Sequence, residues 1–137
     1  MKDREFTASP QPEERDLTPR ELFLASSEGG GLETPRRCRV LERVRGEDRD
    51  DYLLVEVDPP FPGEDFDLGG NDVRVVLLAS RYREESLFPV RQFPVHVHVA
   101  RLLVPYSGQR ELRNSDIDGF AWGEVYPSEA AAREGLK

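Results

Sequence analysis

With 137 residues the chain has room for one domain of common size and not for two. Hydrophobic residues make up 37% and charged residues 34%, a balance that predicts a folded core carrying a polar appendage. The net charge of -8 argues against general affinity for the DNA backbone and against docking on an anionic membrane, since both need clustered cations.

The positive charge is almost all arginine, Lys2 and Lys137 being the two lysines. Codon composition accounts for such a bias, and recognition of carboxylate or phosphate by planar guanidinium forks is the functional alternative. Cys38 is the single cysteine, so no internal disulfide can form, and a reducing, cytoplasmic compartment is expected. The start, Met1-Lys2-Asp3-Arg4-Glu5, leads into no apolar run of the signal-peptide kind. No stretch approaches the roughly 20 apolar residues of a membrane span.

Residues 1–17 hold Pro10, Pro12 and many charges, with Phe6 and Leu17 as their large apolar groups. They read as a disordered acidic lead, too polar to offset the entropy of ordering. Residues 18–34 read as a short helix followed by a Gly-rich linker. Thr18 would be the N-cap, Pro19 the first helical position and Glu21 the closing member of a capping box. Leu22, Phe23 and Leu24 would dock the helix, and Gly29-Gly30-Gly31 would end it, so the helical turns fall within 19–27.

From residue 35 to 137 the pattern is that of a single β domain. Cys38, Val40, Glu42 and Val44 alternate with Arg37, Arg39, Leu41 and Arg43, a strand with one mostly apolar face. Gly46 to Asp51 is a polar turn. Tyr52–Val57 reads as a second strand, and Val73–Ala79 as a third, apolar enough for the middle of a sheet. Pro94–Val104 and Phe120–Tyr126 follow as fourth and fifth strands. Ser128 then caps a closing helix over Glu129–Glu134 that Gly135 stops. No helix of crossover length separates the strands, so five antiparallel strands in a small barrel or sandwich are expected, with short terminal helices.

His96 and His98 sit two apart on the fourth strand, which sends both rings to one face and Val95, Val97 and Val99 to the other. Two such imidazoles are candidate metal ligands, but zinc wants at least one more protein ligand and Arg101 stands nearby. Solvent-facing polar residues are the simpler reading, and no metal or other cofactor is assigned. Asp65, Asp67 and Gly70 fit the opening of an EF-hand loop, but Gly69 and Val76 fall where ligands are required, so the template fails. Cys38 reads as a small core residue rather than a nucleophile. Neither a Gly-x-Ser-x-Gly elbow nor a phosphate-binding Gly-x-x-x-x-Gly-Lys loop occurs.

The least ordinary segment is the connection over 81–94. It places Leu87, Phe88 and Phe93 between two strong strands, among Arg81, Tyr82, Arg83 and Arg91. Aromatic and arginine side chains together anchor interfaces. The same aromatics would also serve as a lid over one end of a barrel. The expected function is therefore a non-catalytic protein-binding or regulatory module with a protein partner, using residues of this segment. The alternatives are a small-molecule or metal-dependent barrel using the His96/His98 face, and an anion or single-strand nucleic-acid binder built on Arg81, Tyr82, Arg83, Arg91 and Arg101, which the net acidity disfavours.

Overall fold

The computed structural model describes residues 19–28, 32–47, 49, 51–64, 70–82, 85–87, 90, 92–105 and 111–136, so the expected disorder of residues 1–17 lies outside the described residues. The first element corrects the sequence reading. Residues of the expected 19–27 helix form a strand, β1 (Glu21–Ala25). A capping box is worth about 1 kcal/mol to a helix. Against that, β1 sends Leu22 and Leu24 to one side, both fully buried in the core, at roughly 1.5–3 kcal/mol each. It also pairs along both of its edges. The non-local burial outweighs the local cap.

The chain continues as β2 (Arg36–Gly46), β3 (Tyr52–Phe61), β4 (Val73–Ser80), β5 (Val95–Leu102), the two-residue β6 (Glu111–Leu112), a 3-10 turn (Asn114–Asp116), β7 (Ile117–Tyr126) and the helix α1 (Glu129–Gly135). Each of β2 to β5 pairs antiparallel with the strand before it, and β7 pairs with β5. The ring closes where β7 meets β1, with Phe23 opposite Tyr126 and Leu24 opposite Val125. The result is a closed six-stranded antiparallel barrel. One strand more than expected comes from β1, and β6 adds a short parallel pairing to the end of β2, with Arg45 opposite Glu111.

The barrel interior is filled by side chains from every strand, among them Leu22, Cys38, Val55, Leu78, Val97 and Val125, all fully buried. Phe61 and Phe120 meet edge to face at 5.1 Å beside this core, and the Arg36 guanidinium lies 4.6 Å over the Phe61 ring. Arg36 Nη1 donates to the carbonyls of Pro59 and Pro60 at 2.8 and 2.9 Å. Leu87, fully buried, packs into the core from the connection between β4 and β5, with Val90 and Phe93 against it.

Two further apolar clusters lie on the outside of the wall. Val44, Tyr52, Leu54, Leu77, Ala79, Ala100 and Leu112 form one, so β4 is buried on both faces, which its unbroken apolar run requires. Ala25, Tyr126 and Ala132 form the other, beneath α1. Ser128 caps α1 by accepting from the Ala131 N–H at 3.1 Å, and Gly135 abuts the Tyr126 ring, where a Cβ would collide. No helix among the described residues is long and apolar enough to cross a membrane.

Candidate functional site

Because β5 alternates strictly, Val95, Val97 and Val99 enter the core while His96 and His98 point outward. Register places His96 opposite Glu124 and His98 opposite Trp122 on β7. The histidines therefore sit on the outer wall of the barrel and not in its interior.

Each imidazole is held by a protein partner. Glu85 Oε1 accepts the His96 backbone N–H at 2.9 Å, and Glu85 Oε2 lies 2.7 Å from His96 Nδ1. A carboxylate accepts, so His96 Nδ1 is the donor. Glu85 is placed by the turn that leaves β4. Ser80 Oγ donates to the carbonyls of Tyr82 and Glu85 at 2.7 and 2.9 Å, and the Arg81 N–H donates to the His96 carbonyl at 2.7 Å. His98 Nε2 faces Arg49 Nη1 at 3.3 Å. Arg49 is itself braced by Asp51, at 2.6 Å from Nε, and by the Ser80 carbonyl, at 2.8 Å from Nη2. Burial and then the Arg49 charge hold the His98 pKa below its ordinary value, so the ring is neutral near pH 7 and Nε2 accepts.

Beside His98 lies Trp122, 55% exposed, its ring centre 5.7 Å from the imidazole. The Arg81 guanidinium stacks 4.5 Å above the indole and 5.6 Å from the ring of Tyr82, which is itself 44% exposed. Among the described residues the Arg81 guanidinium makes no hydrogen bond. Glu124 is within electrostatic reach of it, and burial pushes the Glu124 carboxyl above the usual range, partly offset by His96 and Arg81. A hollow of about 370 Å³ opens next to Trp122, lined by His98, Gly119, Phe120, Ala121 and Trp122.

Among the described residues no three His, Cys, Asp or Glu side chains are grouped to hold a metal ion. Asp65 and Asp67 of the calcium-like stretch lie outside the described residues, while Asp72 accepts the Gly63 N–H at 3.2 Å and so closes its own turn. Cys38 is inside the barrel, where burial pushes its thiol up to about 12.

The 81–94 connection divides. Leu87 is buried in the core and Phe93 packs against it, while Arg81 and Tyr82 are exposed on the outer wall. Arg83, Phe88 and Arg91 lie outside the described residues. Arg101 is engaged by Asp118 at 3.2 Å. Sequence reasoning missed Arg49, Glu85, Trp122 and Glu124. For two of them the signal was present: Val125 faces the core, so parity along β7 sends Trp122 and Glu124 outward, onto the face of the histidines. Scans of protein-family models, curated proteins and solved structures returned no match to this chain.

Proposed function

We propose that the chain is a non-catalytic binding module for a protein partner, and that its contact surface is the outer wall around Trp122, Arg81 and Tyr82. The observation that carries this reading is the Arg81 guanidinium stacked on a tryptophan that is more than half exposed. Trp, Tyr and Arg dominate the energetics of protein interfaces, and here all three adjoin. The wall beneath them is cross-tied, Glu85 accepting the His96 N–H and Arg49 donating to the Ser80 carbonyl, which favours a preordered contact surface. The barrel interior is packed with apolar side chains, which suits recognition on the outside. A single buried thiol suits a reducing, cytoplasmic setting.

The test is a photo-crosslinking amino acid placed at position 122 in the native cell, with position 129 on α1 as control. A discrete adduct from position 122 and none from position 129 is the expected result. No adduct from position 122, or the same adduct from both positions, refutes the reading.

A further inference from the structure

We infer that this wall receives an acidic segment of the partner, its carboxylate on the Arg81 guanidinium and a neighbouring apolar side chain in the hollow between His98 and Trp122; the inference rests on reading the wall as a protein-contact surface. The first support is an asymmetry among the arginines. Arg49 is occupied by Asp51 and the Ser80 carbonyl, and Arg101 by Asp118. The Arg81 guanidinium lies 4.5 Å over the Trp122 ring, yet it makes no hydrogen bond among the described residues. The indole contact anchors the guanidinium and leaves its N–H donors without an acceptor among the described residues. A fork so held loses little freedom when a carboxylate accepts two parallel bonds from it.

The second support is what adjoins the fork. The hollow of about 370 Å³ has Phe120, Ala121, Trp122 and the neutral His98 ring in its lining. That volume takes one aliphatic or aromatic side chain on a mainly apolar floor. A carboxylate and an apolar group side by side are the features of an acidic, amphipathic peptide.

A nucleic acid would also offer an anion and a flat base to this pair. Charge decides against it. Asp51 and Asp118 sit on Arg49 and Arg101, Glu85 sits on His96 and Glu124 is within electrostatic reach of Arg81, so a chain of phosphates would meet carboxylates in succession. A single carboxylate needs the Arg81 fork alone, against the opposing charge of Glu124.

Trp122 is the only tryptophan, so its emission reports on the site directly. The experiment selects short random peptides displayed against the full chain, then titrates the enriched peptides while following that emission. Enriched sequences are expected to share Asp or Glu beside Leu, Ile, Phe or Met, and to shift the emission on binding. Arg81→Gln should weaken them by about tenfold or more, and Arg81→Lys should restore only part, because an ammonium lacks the fork. Arg74→Gln, the same charge change at another exposed position, should leave affinity unchanged. Peptides that shift the emission but lack an acid, or bind Arg81→Gln equally well, overturn the carboxylate assignment and leave the wall a contact surface. No enrichment, or enrichment without any emission change, overturns both. Tighter binding of oligothymidylate than of any peptide overturns the inference in favour of single-stranded nucleic acid.

Discussion

Leu77 and Leu78 are neighbours on β4, both fully buried, and they face opposite sides of the barrel wall. Truncating each to alanine should therefore separate the two kinds of core. Either change removes three carbons from an apolar site, a transfer loss of roughly 2 kcal/mol at about 0.8 kcal/mol per methylene. The remaining cost depends on whether the site can collapse. Leu78 points into a closed barrel whose six strands are hydrogen-bonded on both edges, so the void stays open. A void of about 75 Å³ at roughly 24 cal/mol per Å³ adds about 2 kcal/mol, for a total near 4. Leu77 lies on the outside, with Leu112 of the two-residue β6 packed in the same cluster, and that cover can settle inward. Its cost should stay near the transfer loss, about 2 kcal/mol. Urea unfolding of both variants at pH 7, compared at equal m-value, measures the difference. A Leu77→Ala loss equal to or larger than that of Leu78→Ala would refute the assignment of the two faces.

Two titrating groups give further expected outcomes. At pH 8 a thiol with a pKa of about 12 is ionised in about one molecule in ten thousand, against roughly a quarter for a free cysteine. Native Cys38 should resist a disulfide-exchange reagent and react at once in guanidinium chloride; native labelling within about tenfold of the denatured rate would contradict its place in the barrel. His98 has a folded pKa below its unfolded value of 6.5, so the unfolded chain binds the proton more readily. Its contribution is fully present above pH 6.5 and is lost as pH falls through 6.5 toward the folded value. The urea midpoint of the parent chain should therefore drop more between pH 7 and 5.5 than that of His98→Gln, and an equal drop would show that the ring stays solvated.

The fold was legible wherever burial is written into a local period. The alternation Val95-His96-Val97-His98-Val99 forecasts which side chains enter the core, and the unbroken run Val76-Leu77-Leu78-Ala79 forecasts burial on both faces. Ser128 marks the start of the last helix by its own chemistry, whereas Gly135, expected to stop it, is its last residue and the cap falls on Leu136. The helix expected over 19–27 failed because its evidence was local and its outcome was not: Leu22 and Leu24 gain their environment from β2 and β7, the latter distant in sequence. The site was half visible. Arg81 and Tyr82 stand out in an odd connection, but which residue meets His98 depends on the β5–β7 register, which shifts at a bulge between Val99 and Ala100. No pattern within either strand carries that information. Arg49 likewise reaches His98 from the turn between β2 and β3, across the end of β4, which depends on the β3–β4 and β4–β5 pairings.

The closure of the ring through β1 bears on how the chain is made. Synthesis proceeds from the N-terminus, and domains fold as their segments emerge. Of the six barrel strands β1 emerges before the others and meets β2 soon after. Its other edge must wait for Glu124, Val125 and Tyr126, on the barrel strand furthest from it in sequence. Until then the nascent sheet has two open edges, with Leu22, Leu24 and the inward valines of β5 lacking part of their cover. Such edges are templates for pairing with other chains. Stalling the ribosome before Tyr126 should leave a species that associates, and releasing a few more residues should end it.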